Sequence, residues 1–362
     1  MKASFAKSSL KKSLELMKNT APSRWGKPIC GFARISKMGE KLVNLEATDM
    51  DIMLRLSLPA WDLDETTDAL LPIKETIAVV GKLKTKEISL EANGQVILNG
   101  NITLPTEEAK DFPEFPAVSA EIYQIQAQDL AKLIKLTEYA QSPSEHSRYA
   151  ATTGTLWEFS QGKLELIATD GRRMAVAQAP YQGETPLEPT GGFYPVVPAK
   201  AMKILKKLLA NEYGTILFSF TQNEFTATGF NFKLYSRLLV GRFPAWRQVL
   251  PNKRDQKTTV TVKAGTLREK LSPVMAVFDE DDAALTFTFS KAGFLHLHNK
   301  KFTERLWLEN FSGKSRKIKF NPTFFLDFLG SLSSETDVTI KLANPTQCEA
   351  ENLTYIIVPL GI

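Results

Sequence analysis

Two kinds of helix-like segment each recur three times along the chain, and that recurrence restricts the fold more than any single motif does. The first set reads SSLKKSLELMKN (8–19), AQDLAKLIKLTEYA (127–140) and KAGTLREKLSPVMAVF (263–278); with Leu10, Leu130 and Leu267 as anchors, the intervals are 120 and 137 residues. The second reads LPIKETIAVVGKL (71–83), VPAKAMKILKKLL (197–209) and FNPTFFLDFLGSL (320–332), and its starts at Pro72, Pro198 and Asn321 lie 126 and 123 residues apart. Pro in a first helical turn and Asn at a cap both suit a helix start. Between these segments the apolar residues alternate with period two, as in KLELIATD, TILFSF, EFTATGF, FKLYSRLLV, LTFTFS and FLHLHN, which predicts strands. Each third is therefore helix, strands, helix, strands. One apolar helix face laid on a mainly antiparallel sheet makes an α+β layer, with six such units per chain. A tandem of like modules builds an arc, and a small rotation per module can close it into a ring.

Composition narrows the function. The 362 residues are 43% hydrophobic and 23% charged, as in a soluble chain with a full core over two or three domains. No apolar run approaches the roughly 18 residues of a membrane helix, and the start MKASFAKSSLKKSLELMKN reads as a cytoplasmic N-terminus rather than a signal peptide. Cys30 and Cys348 are expected to be buried free thiols, since no disulfide framework or CxxC is present.

The net charge is only +5, so its distribution must decide what it attracts. The first helix carries Lys7, Lys11, Lys12 and Lys18 against Glu15; the second carries Lys74, Lys82 and Lys84 against Glu75. The segment 198–210 carries Lys200, Lys203, Lys206 and Lys207 and no acid. Like charges on one helix face are destabilising, so either water screens them or an anionic partner offsets them. A phosphate backbone would suit, bound without reading sequence.

A catalytic centre is not evident. The chain has no P-loop, GxGxxG or GxSxG. His296 and His298 share a strand face but lack a third ligand, and DEDDAAL (279–285) holds consecutive rather than spaced carboxylates, as in a solvated loop. In ATDGRRMA (168–175) the Asp170-Gly171 pair predicts a hairpin turn, which leaves Arg172, Arg173 and Met174 open to another role at its mouth.

The thirds, this hairpin, DFPEFP (111–116), VVPAKAM (196–202), GRFPAWRQVLP (241–251) and the terminal YIIVPLGI (355–362) together resemble the bacterial sliding clamp family, the beta subunit of DNA polymerase III. The resemblance spans the whole chain in order. It implies three similar domains (1–121, 122–251 and 252–362) and a head-to-tail homodimer closed as a ring around double-stranded DNA. It implies no catalysis, no cofactor and no metal. The replicative polymerase, a clamp loader and repair proteins would dock through short peptides.

By motif, the resemblance carries the peptide pocket to Arg148, Thr169, Gly171, Arg172, Arg173, Met174, Pro244, Val249, Ile357, Val358, Pro359 and Leu360. DNA contact falls to Arg24, Lys12, Tyr149 and Lys200, and the subunit contact to Phe112 against Ala276 and Val277. Met and branched aliphatics make a groove that repacks around different apolar anchors. Departures from the family pattern at Ala150, Ala151, Gln248 and the terminal Gly361-Ile362 imply an altered peptide preference. They also keep open a clamp paralogue that scaffolds another DNA-processing assembly.

Overall fold

Six α-helices lie where the repeats place them among the residues described by the computed structural model, which are 1–21, 27–64, 68–118, 120–143, 149–160, 162–183, 194–277 and 284–361. They are α1 (Lys7–Met17), α2 (Ile73–Lys82), α3 (Ala127–Thr137), α4 (Ala199–Leu209), α5 (Ala264–Leu271) and α6 (Pro322–Ser331). In α1, Leu10, Leu14 and Met17 are buried at the spacing of a single helix face. The pattern 263–278 predicts a longer helix than the one observed. Pro273 has no N–H to continue the helical hydrogen-bond ladder, so α5 stops at Leu271 and a 3-10 turn, Ser272–Ala276, follows. At the start of α6 the Asn321 side chain accepts from the Thr323 N–H at 2.9 Å. Asn321→Ala is expected to cost about 1 kcal/mol of stability in urea unfolding.

Tertiary contacts divide the chain into two units, one of residues 1–128 with 200–238 and the other of 129–199 with 239–362. Each unit takes part of the middle third, and each holds one large and one four-stranded sheet, all antiparallel.

In the first unit an eight-stranded sheet runs continuously because Phe232–Arg237 pairs with Ile52–Pro59, from Phe232 opposite Leu56 to Ser236 opposite Ile52. Its small sheet orders Lys2–Ala6, Glu87–Ala92, Val96–Leu98 and Ile102–Leu104. Helix α1 packs on α2 and touches strands of both sheets. In the second unit, Leu353–Ile357 pairs with Arg173–Pro180 at the centre of a nine-stranded sheet. The small sheet there orders Thr303–Trp307, Phe294–His298, Leu285–Ser290 and Arg316–Phe320, and α5 packs on α6 beside it. Phe287, Phe320 and Phe325 form its aromatic centre, with ring centroids 5.0 to 5.2 Å apart. Cys30 and Cys348 are buried free thiols.

The segment DFPEFP is a strap within the first unit. Phe112 is 3% exposed and packs with Met53, Leu70 and Tyr235. Arg34 binds Glu46 through Nε at 2.7 Å and through its terminal nitrogen at 2.6 Å, and reaches Glu114 at 2.7 Å. Arg55 binds the other Glu46 oxygen at 2.6 Å and lies 4.5 Å over the Phe115 ring. Phe112, expected at a subunit contact, has its side chain enclosed by the core of its own unit. Ala276 and Val277 are exposed just past α5.

Candidate functional site

The hairpin of Lys163–Thr169 and Arg173–Pro180 builds the rim of the main cleft. Gly171 has φ +85°, a conformation glycine adopts without steric penalty. The Asp170 carboxylate accepts from the Arg172 and Arg173 N–H groups at 2.9 and 3.0 Å, and the Thr169 hydroxyl donates to the Arg173 carbonyl at 2.7 Å. Asp170 is thus the brace of the turn.

Arg173 is fixed as well. Its side chain meets Asp170 at 3.0 Å and Asp327 at 2.6 Å, and its guanidinium lies 4.4 Å over Phe324 and 5.8 Å over Tyr139. Its charge is held by those partners, and burial pushes the Tyr139 hydroxyl pKa far up, so both stay in one protonation state at neutral pH. Arg172 is exposed at the turn and makes no ion pair among the described residues, so it is the cation this hairpin offers to a ligand.

The cleft encloses about 1100 Å³. Its floor is the top of a core cluster in which Met174, Ile356 and Trp246 meet Ala151, Leu156 and Phe243. Met174 stands opposite Ile356 in the strand pairing, so both share one sheet face. The Trp246 indole N–H donates to Glu158 at 3.0 Å, and Arg247 covers its ring at 4.2 Å while pairing with Glu158 at 2.6 Å. These contacts fix the large floor residue in place. Exposed Val249 and Val358 stand at the edge, 50% and 44% accessible. An apolar floor, an aliphatic lip and one uncommitted guanidinium suit an extended peptide with apolar anchors and a carboxylate or carbonyl.

Of the residues expected here, Thr169, Gly171, Arg172, Arg173, Met174, Pro244, Val249 and Val358 line one cleft. Arg148 lies outside the described residues. Ile357 is a correction: it is fully buried, because successive strand side chains alternate and it points with Tyr355 toward α6, where Tyr355 stacks on Phe328 at 4.6 Å. Its neighbour Ile356 takes the cleft position. Pro359 and Leu360 are also not among the walls. The tail leaves the cleft after Val358 and bonds to Lys319 through Leu360 at 2.8 Å. Tyr149, expected at DNA, is exposed and lines this cleft. Tyr139, Trp246, Phe324 and Ile356 were missed. Period-two alternation could have selected Ile356, whereas no local signal brings α6 and Phe324 to the site.

The cationic helices α1, α2 and α4 belong to the first unit. Lys12, Lys18, Lys74, Lys82 and Lys203 are exposed. Lys200 is different: its ammonium pairs with Asp49 at 2.5 Å and donates to the Thr20 carbonyl at 2.8 Å, so its charge is largely neutralised at home. Arg24 lies outside the described residues. Among the described residues no cluster of three or more His, Cys, Asp or Glu could hold a metal ion, and no helix is long and apolar enough to cross a membrane.

The layered helix-and-sheet repeats carrying a peptide-sized cleft define a sliding-clamp fold. The sliding clamp (DNA polymerase III subunit beta) from Pseudomonas aeruginosa bound to griselimycin superposes with a TM-score of 0.88 at 23% identity, over 100% of both chains. The family model for the DNA polymerase III beta subunit, central domain, matches residues 124–245. Proteins named beta sliding clamp are 26% identical in Vibrio cholerae and 26% identical in Synechocystis, each match covering 100% of both chains. The chain is thus similar over its whole length to proteins named beta sliding clamp, and its central part, residues 124–245, matches the model for the central domain of the DNA polymerase III beta subunit.

Proposed function

We propose that this protein is a non-catalytic DNA sliding clamp, a processivity factor that encircles double-stranded DNA and tethers a replicative polymerase. The observation that carries this reading is the end-to-end match with proteins named beta sliding clamp, in a chain whose helices present exposed lysines. Three domains, 1–121, 122–251 and 252–362, would repeat in each of two head-to-tail subunits. Two sheet edges support that contact: among the described residues Ile102–Leu104 is the last strand of one small sheet and Thr303–Trp307 the last of the other, so each could pair with a second copy. Sedimentation should give twice the 40.4 kDa chain mass, and a monomer at high concentration would refute the ring.

The hole-lining role would fall to Lys12 and its exposed neighbours on α1, α2 and α4 and, by the family motif, to Arg24, while Lys200 positions the Thr20 segment. Lys12→Ala with Lys203→Ala should weaken DNA binding equally on all sequences and reduce the salt slope by about 0.9 per lost phosphate contact. A change confined to one DNA sequence would contradict nonspecific phosphate contact.

The cleft would take short apolar peptides of the polymerase, clamp loader and repair proteins, with Arg172 on its rim; the family motif adds Arg148, which lies outside the described residues. The griselimycin complex of the Pseudomonas aeruginosa clamp supports a ligand-binding cleft on this fold. Such a protein works in the cytoplasm. Gln248 on the wall and Ala151 under the floor favour a shifted peptide preference, and a clamp serving as scaffold for another DNA-processing assembly is the second reading. Stimulation of the host replicase separates the two.

A further inference from the structure

The small sheet of the second unit has a solvent face unlike its buried one. Alternation sends Leu295, Leu297, Leu306 and Ile318 inward, where they are buried, and sends Phe294, His296, His298, Arg305, Trp307 and Lys317 outward. The strand pairings arrange the outward side chains in two neighbouring rows. Lys317, Thr288, His296 and Arg305 stand opposite one another across all four strands, a span of about 14 Å at normal strand spacing. Beside them Phe294 stands opposite Trp307.

The rings are in contact with each other and with the cation. Phe294 and Trp307 meet edge to face at 6.2 Å, and the Arg305 guanidinium lies 3.7 Å over Phe294 and 5.2 Å from the Trp307 ring. Trp307 nevertheless remains 71% exposed. Packing for stability would have covered that ring. No carboxylate stands at the outward positions of these strands; Glu304 alternates to the other face and pairs with Lys270 of α5 at 3.3 Å.

We propose that this sheet face binds single-stranded nucleic acid, with phosphates along the Lys317–His296–Arg305 row and bases stacked on Trp307 and the exposed side of the Arg305–Phe294 pair. Charge complementarity selects an anionic partner. The open aromatic rings select one that carries π-faces, and single strands offer both where a duplex hides its bases. The surface differs from the lysine-bearing helices, which lie in the other unit and lack such aromatic rows. Pairing of a second copy along the Thr303–Trp307 edge would leave this face open, because sheet hydrogen bonds run in the plane of the sheet.

The test is fluorescence anisotropy of a labelled twelve-nucleotide oligo(dT) on the full-length protein, with tryptophan emission followed in parallel. Binding should quench the emission and should be weaker for a duplex of the same length. Trp307→Ala should lower oligo(dT) affinity on the order of tenfold, as expected for one lost base stack. Lys317→Ala should lower it and flatten the salt dependence by about 0.7 per single-strand phosphate contact. Lys41→Ala, which removes an exposed lysine of the first unit that lies outside the lysine-bearing helices, serves as the control and should leave the tryptophan quenching unchanged. Two results would overturn the proposal: oligo(dT) affinity unchanged in both Trp307→Ala and Lys317→Ala, or full displacement by poly-glutamate at equal concentration with no tryptophan quenching, which would assign the face to an acidic protein segment. Neither bears on whether the protein forms a ring, which the mass measurement decides separately.

Discussion

Glu46→Ala is expected to destabilise the first unit by about 3–5 kcal/mol, the usual cost of removing one partner from a buried ion pair. The carboxylate is 1% exposed and accepts from Arg34 and Arg55 at 2.6 to 2.7 Å. Its loss leaves the Arg34 guanidinium, itself 7% exposed, with only peripheral acids: Glu114 at 2.7 Å and Asp68 at 3.9 Å. Those neighbours should hold the effect toward the lower end of the range. The strap at 111–116 should loosen at the same time, because Glu114 and Phe115 are anchored through the same two arginines. Urea unfolding measures the stability change, and a loss below about 1 kcal/mol would show that the pair is solvated.

A pH dependence accompanies this network. The hydrogen bond from Arg34 holds the Glu114 carboxyl below the ordinary carboxylate range. A carboxyl lowered on folding adds stability above its unfolded pKa, near 4.3, and that share disappears as the pH falls through the folded value. Because the Glu114 side chain is 84% exposed, its share is small compared with that of Glu46. The Glu114→Gln variant should therefore flatten acid unfolding slightly without changing stability at neutral pH by more than a surface pair would.

The second large effect lies at the cleft. Val249→Asp combined with Val358→Asp is expected to weaken the apolar-peptide binding proposed for this cleft by about thirtyfold or more, near 2 kcal/mol, the threshold of a dominant contact. Both side chains are half-exposed at the lip, so the fold should survive the change, and unaltered circular dichroism would confirm it. Each new carboxylate would have to be desolvated against an apolar ligand. Unchanged affinity in calorimetry would place the ligand elsewhere.

The six helices and most strands were legible because their apolar periods are strong and each is satisfied locally. α5 was overextended because periodicity continued through Pro273, where the missing N–H ends the helix. At the cleft, residues within one hairpin were readable from turn chemistry: Asp170 and Gly171 make the turn, and Arg172 and Met174 follow it at the cleft mouth. Residues brought from a distance were not. Phe324 reaches Arg173 only through the packing of α6, and choosing Ile356 over Ile357 needs the strand register. Lys200 illustrates the same limit for charge, since counting lysines along α4 cannot reveal that Asp49, on a distant turn, neutralises one of them.

On the proposed function, the protein surrounds DNA rather than gripping it. The most direct measurement loads the protein onto nicked circular duplex DNA with a clamp loader, washes at high salt, and then linearises the circle. Retention on the closed circle with rapid loss after cutting is the predicted result. Equal retention on circular and linear DNA, or equal loss from both, would contradict encirclement.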